Sequence, residues 1–90
     1  MLQFEWDLEK ARQNAKKHGV YFDEAATVFY DPLSATFDDP DHSKGEQRFV
    51  TVGVSSQGRL LVVAHTERGN AVRIINARPV TAHERKKHES

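Results

Sequence analysis

Three groups of residues in this 90-residue chain are of types that move protons or hold anions. The first is Lys16-Lys17-His18-Gly19, which closes a predicted helix. Cations there meet the negative end of the peptide dipole, which explains them without any function. Alternatively, Lys17 and His18 reach a phosphate, an arrangement that is electrostatically costly at a helix end unless arginines from a sheet assist. The second group is the loop from Asp38 to Glu46, with three aspartates, His42 and Glu46. Its spacing fits neither a two-histidine-plus-carboxylate site nor a calcium loop, and an acidic segment containing Pro and Gly is ordinary solvated chain. No metal and no cofactor is expected. The third group is Arg48, Arg59, Arg68, Arg73 and Arg78, on or beside predicted strands, together with Glu46 and His65.

Arginine at strand ends is commonplace, but Arg73 stands between Val72 and Ile74-Ile75, where a guanidinium must find a carboxylate, a phosphate or solvent. Strand parity predicts that Arg73, Ile75 and Ala77 share one face. Planar, permanently charged donors in a polar groove suit a phosphodiester and its more highly charged pentacoordinate transition state. With no cysteine and no convincing metal cluster, cleavage would run on acid, base and arginine, and the RNA 2′-hydroxyl is a nucleophile that needs no metal. His65, on a strand, reads as a packing residue rather than a catalyst. A pure binder needs cations but no poised proton donor or acceptor, so Glu46, His18 and His65 lean toward an enzyme. The alternative is a non-catalytic RNA- or protein-binding regulator on the same fold.

The elements that must position these groups are legible in order. Leu2 to Trp6 alternates as a short strand, and Asp7 can cap a helix through Lys17, with Leu8, Ala11 and Ala15 on one face and Gly19 as its stop. A second helix, capped by Asp23 and burying Ala25, Ala26 and Phe29, ends at Asp31-Pro32. Period-two runs follow at 33–37, 48–54, 59–66 and 71–77, with turns at Ser55 to Gly58 and at Gly69-Asn70. Leu60 to Ala64 is apolar at both parities, as a central strand covered on both faces would be. Pro79 suits the start of a last helix, and Thr81-Ala82-His83-Glu84 has capping-box spacing. The expected class is α+β, with a mainly antiparallel sheet in the order β-α-α-β-β-β-β-α.

Ninety residues allow one domain, 1–90, and 38% hydrophobic with 29% charged residues places the chain in the globular range. No apolar run is long enough to span a membrane, and the N-terminus lacks a signal-peptide pattern, so neither export nor a membrane partner is expected. The absence of cysteine is compatible with a reducing cytosol. The net charge of zero hides opposed blocks: +1 over residues 1–18, −6 over 19–47 and +6 over 48–88. Such segregation is either solvated surface or two binding surfaces of opposite sign.

Phe4-Glu5-Trp6-Asp7, Lys17-His18-Gly19-Val20, Phe22-Asp23-Glu24-Ala25, Asp31-Pro32, His42-Ser43, Glu46-Gln47-Arg48, Gly58-Arg59-Leu60-Leu61-Val62-Val63, Thr66-Glu67-Arg68 and Arg73-Ile74-Ile75-Asn76-Ala77-Arg78 run in one order across the whole chain. In that order the sequence resembles the BrnT-type toxins. The resemblance implies a RelE-like fold, endoribonuclease activity that inhibits translation, a bacterial cytoplasmic location and a role in a type II toxin–antitoxin pair. Its partner would be a BrnA-like antitoxin that binds operator DNA through a ribbon-helix-helix domain, so that the toxin meets DNA only indirectly. Residue by residue, it places the RNA site among Lys17, His18, Glu46, Arg48, Arg68, Arg73 and Arg78. Glu46 or His18 would serve as base, Lys17 or His18 as acid, Arg73 and Arg78 as phosphate clamps, and Arg48, Arg68 and Lys17 as RNA-binding groups. The sequence departs from the family pattern at Asn76, where a serine is common, at Pro79, where a basic residue is usual, and at His88, where a tyrosine is frequent.

Overall fold

The computed structural model describes residues 2–89, with side chains through residue 87, so the side chain of His88 lies outside the described residues. Strand β1 (Gln3–Glu5) leads into helix α1 (Leu8–His18) and helix α2 (Phe22–Thr27). Strands β2 (Ala35–Asp38), β3 (Phe49–Val54), β4 (Leu60–Arg68) and β5 (Ala71–Pro79) follow, and helix α3 (Ala82–Glu89) closes the chain. Single 3-10 turns occupy Val28–Tyr30 and Pro40–His42. The strands form one sheet in the order β1-β5-β4-β3-β2, antiparallel except for the parallel pair β1–β5. This is the α+β order that the hydrophobic periods predict.

Local chemistry fixes most element ends. The Asp7 side chain accepts from the Lys10 N–H at 3.0 Å, a bond that holds its carboxyl below the usual range, and Gly19 ends α1 at φ 69°. The Thr81 capping box forms as expected, with Glu84 N–H on Thr81 Oγ1 at 3.1 Å and Thr81 N–H on Glu84 Oε1 at 2.9 Å. Three expectations change. Tyr21, not Asp23, is the N-cap residue of α2, and Asp23 sits in the first turn, where its charge still meets the positive dipole end. Pro79 is the last residue of β5 rather than part of the closing helix. Leu8 is 73% exposed, and the buried residue of α1 is Asn14, because this helix lies against a strand edge that needs a polar partner.

Helices α1 and α2 pack on one sheet face, where Val20, Phe22, Ala25 and Val28 meet Leu61, Val63, Ile74 and Ala77. Phe4 and Trp6 flank this core, with ring centroids 5.4 Å from Phe29 and 5.9 Å from Phe22 respectively. A Cβ on Gly53 would fall 2.8 Å from Ser34 Cβ and 3.0 Å from Val28 Cγ1, so β3 needs glycine where the chain lies directly on it.

One register shift decides which side chains leave the core. Along β4, Leu61, Val63 and His65 pair with Pro79, Ala77 and Ile74, whereas Val62, Ala64 and Thr66 pair with Arg78, Asn76 and Arg73. The shift falls between Ala64 and His65 and leaves Ile75 as an extra residue on β5, a β-bulge. Paired residues share a face, so Arg73, Asn76 and Arg78 point away from the core together. The expected grouping of Arg73 with Ile75 and Ala77 does not occur, because Ala77 returns to the core at 0% exposure.

Two buried polar knots hold the helical layer. Strand β1 covers β5 only along Ala71, Val72 and Arg73, so the β5 edge beyond needs other partners. Asn14 supplies them: its Nδ2 donates to the carbonyls of Ala77 and Val20, both at 2.9 Å, and its Oδ1 accepts from the Ala77 N–H at 3.0 Å. In the second knot Arg59 Nε donates to Glu24 Oε2 at 2.9 Å and Arg59 Nη2 to the Gly19 carbonyl at 2.9 Å, while Ser55 Oγ donates to Glu24 Oε2 at 2.6 Å. Arg59 is therefore a structural latch between the α1–α2 corner and the β3–β4 turn, and its guanidinium holds the Glu24 carboxyl below its ordinary range.

Asn14→Ala, which strands the Ala77 N–H and C=O, is expected to cost about 2–4 kcal/mol in urea denaturation. Arg59→Met, which leaves a buried carboxylate without its counter-ion, is expected to cost about 3–5 kcal/mol. A loss below about 1 kcal/mol for Arg59→Met would mean that Glu24 rehydrates without disturbing the fold.

Candidate functional site

The sheet face away from α1 and α2 has two ends. Toward β2 it is apolar, where Phe37, Val52 and Val62 lie beneath Val80 and Glu84 of the C-terminal segment. Along β5 it is ionic. Glu5 Oε1 lies 3.6 Å from Arg73 Nη1 and 4.0 Å from Arg68 Nε, and Glu46 Oε1 lies 3.9 Å from Arg68 Nη2. These side chains are roughly one-third to one-half exposed, so each pair contributes little to stability, about 0–1 kcal/mol. At such separations the guanidinium N–H groups are oriented by carboxylates but not consumed by them. Thr66, opposite Arg73, is buried beneath this face, and its hydroxyl has no hydrogen-bond partner among the described residues.

At the other end of β5 a groove of about 380 Å³ opens between α1 and the strand, lined by Gln13, Lys17, His18, Ile75, Asn76 and Arg78, with Lys10 and Asn14 at its wall. None of the side chains lining it is a carboxylate. Lys17 and His18 stand there because Gly19 ends the helix one residue later and Asn14 pins the preceding turn to Ala77. Arg78 is held differently from Arg73. Its Nη1 and Nη2 donate to the two Glu84 oxygens at 2.7 and 2.9 Å, and this pairing, aided by the Thr81 N–H, draws the Glu84 carboxyl down to about 2.

The expected site residues therefore fall into two clusters on one strand. Glu46, Arg68 and Arg73 gather around Glu5, while Lys17, His18 and Arg78 share the groove. Arg73 and Arg78 lie opposite Thr66 and Val62, four positions apart on β4, about 13 Å at about 3.3 Å per residue. Arg48 precedes β3 half-buried, its N–H donating to Ser43 Oγ at 2.9 Å and its carbonyl accepting from Asp39 at 2.9 Å. Reading the sequence missed Glu5 and Glu84, the carboxylates that orient the arginines. Glu5 alternates with half-buried Phe4, so its outward direction was legible, but its parallel pairing with Arg73 was not.

His65 belongs to neither cluster. At 3% exposure its ring sits edge-on to Phe29, 4.8 Å between centroids, and stacks on Phe49 at 5.7 Å. Its Nε2 lies 2.7 Å from Thr51 Oγ1, which is 2.7 Å from Thr36 Oγ1, and its Nδ1 has no partner among the described residues. The network favours Nε2–H donating to Thr51, since a bare buried acceptor costs less than an unpaired N–H. Burial lowers its pKa to about 4, so it is the packing residue its strand position suggests.

Among the described residues no helix is long and apolar enough to cross a membrane. The fold and this face define a small α+β domain that presents a cationic track, with a histidine and a carboxylate at its two ends, along one strand. Residues 6–84 match the family model described as "Ribonuclease toxin, BrnT, of type II toxin-antitoxin system", and the chain belongs to that family. A 1.1 Å crystal structure of the Brucella abortus ribonuclease toxin BrnT superimposes with a TM-score of 0.71 at 20% identity, covering 90% of this chain and 99% of that one. At that identity the likeness speaks for the fold. A search of curated proteins finds no match.

The buried histidine sets an acid limit on stability. Below its ordinary value of 6.5, the unfolded chain takes up a proton that folded His65 refuses, so stability is full above pH 6.5 and falls toward pH 4. Between pH 6.5 and 5 the expected loss is about 2 kcal/mol by urea denaturation. His65→Phe is expected to flatten that slope, and an unchanged slope would assign the acid sensitivity to another group.

Proposed function

We propose that this toxin is a metal-independent endoribonuclease that grips a single strand of RNA along β5 and cleaves it by attack of the 2′-hydroxyl, inhibiting translation. The observation that carries this is the common face of Arg73, Asn76 and Arg78, which turns one strand into a linear anion track ending beside Lys17 and His18. A base and an acid acting on one phosphodiester must both lie within hydrogen-bond reach of it. Glu46 stands with Arg68 at the far end of the track, whereas His18, Lys17 and Arg78 share one groove. His18 is thus assigned as the base on the 2′-hydroxyl, Lys17 as the acid toward the leaving 5′-oxygen, and Arg78 as the donor to the transition-state phosphoryl oxygens. Arg73, Arg68 and Glu46 position the strand, and Arg48 lies at the margin of this surface. The product is a 2′,3′-cyclic phosphate, and the freed 5′-oxygen takes the proton.

The antitoxin in this reading is a BrnA-like protein that binds operator DNA through a ribbon-helix-helix domain. Its acidic segment would lie along β5. The toxin's own carboxylates, Glu5, Glu46 and Glu84, already show the arrangement such a segment would present to the arginines. Association resting on these charges weakens as salt rises.

Incubating the protein with unstructured RNA in chelator is expected to give fragments with cyclic phosphate ends. His18→Ala is expected to slow cleavage by about 10²–10⁴-fold, while Arg73→Ala chiefly weakens RNA binding. If Glu46→Ala proves as damaging to turnover as His18→Ala, the chemistry belongs at the Glu5 end. RNA bound without cleavage, free or on ribosomes, would mark a non-catalytic regulator.

A further inference from the structure

We propose that the groove between α1 and β5 is a base-reading subsite for an adenine flanking the cleaved phosphate, with Asn76 as the reading residue. This rests on the reading of the chain as an RNA-cleaving toxin and adds to it the specificity of the site.

Asparagine is depleted in strands, yet Asn76 stands mid-strand and exposed between two arginines on the same face. Its amide makes no side-chain hydrogen bond among the described residues, in contrast to Asn14, whose amide is fully used on Ala77 and Val20. Across the groove, α1 brings a second primary amide, Gln13, whose only side-chain hydrogen bond among the described residues is a long one of 3.4 Å to Glu9. Ile75, the extra residue of the bulge, also lines the groove and offers the plane of a base an apolar surface. Lys17 and His18 lie alongside for the attached phosphate.

The chemistry of the walls selects the base. An amide offers a donor beside an acceptor, which matches the N6–H and N7 of adenine in bidentate fashion, whereas guanine presents two acceptors and is read by arginine or lysine. Arg78 is held on Glu84 by one N–H of each terminal nitrogen, and in the proposed reaction its remaining N–H groups serve the phosphate, which leaves the amides as the readers of the base. In single-stranded RNA that edge of the base is open to a side chain.

The test measures binding apart from cleavage. A fluorescent uridine tract carrying one adenosine, with 2′-fluoro sugars that cannot react, is titrated by anisotropy against the matching tracts carrying guanosine or cytidine. Wild type is expected to prefer the adenosine tract by roughly tenfold, and Asn76→Ser to lose that preference, read as the ratio of affinities for the adenosine and guanosine tracts. Cleavage sites mapped on natural RNA are expected to lose their flanking adenine in the same variant. Absence of a preference, a preference for guanosine, or one that survives Asn76→Ser overturns the subsite. Selective binding by a protein that cleaves nothing would sustain the subsite and overturn the ribonuclease reading. Cleavage without base preference would do the reverse.

Discussion

The geometry of the site depends on how an unfinished sheet edge is closed. Strand β1 is three residues long, so most of β5 reaches the helical side of the molecule with an unpaired edge. Asn14 answers this as a strand would, with one acceptor and one donor on the same residue, Ala77. The helix carrying it is thereby fixed in height and rotation against β5. Everything functional on the last turn of α1 inherits that placement, since Lys17 and His18 follow Asn14 by three and four residues and share its side of the helix. An apolar contact could have buried the same area but would not have specified the register.

The arginines divide by how tightly carboxylates hold them. Arg59 is bound by short, convergent hydrogen bonds to a carboxylate out of solvent, and it belongs to the scaffold. Arg68 and Arg73 face half-exposed carboxylates at 3.6 to 4.0 Å, close enough to be aimed and far enough to exchange for another anion. Arg78 is intermediate, exposed yet bidentately paired with Glu84. Arg59, Arg68 and Arg73 each meet a glutamate brought in from a distant part of the chain, and Arg78 meets Glu84 six residues on, so at these sites the neutral total covers a cationic surface balanced in place rather than a surface indifferent to anions.

Element order, both hairpins, the αL stop at Gly19 and the Thr81 capping box were legible because each is written in local chemistry. The packing role of His65 was legible too, from its place in an apolar strand. Three features were not. A β-bulge leaves no mark in the period of Val72 to Ala77, so parity assigned Ala77 to the wrong face. The use of Asn14 as an edge cap depends on where β1 stops covering a strand 63 residues away from it. Arg59 and Arg73 look alike in sequence, and only their partners, buried Glu24 and half-exposed Glu5, separate scaffold from surface.

The bulge at Ile75 also makes length a determinant of charge placement. Arg73 and Arg78 are an odd number of residues apart, and in an unbroken strand they would project to opposite sides of the sheet. The extra residue restores the phase. Flattening the bulge with every residue kept would therefore swing Arg78 among Leu61, Val63 and Ile74 without altering the composition of the strand, whereas losing the extra residue together with the bulge would leave both arginines on one face. What the strand must preserve is the match between a count and a register, and a comparison that scores composition alone would overlook it.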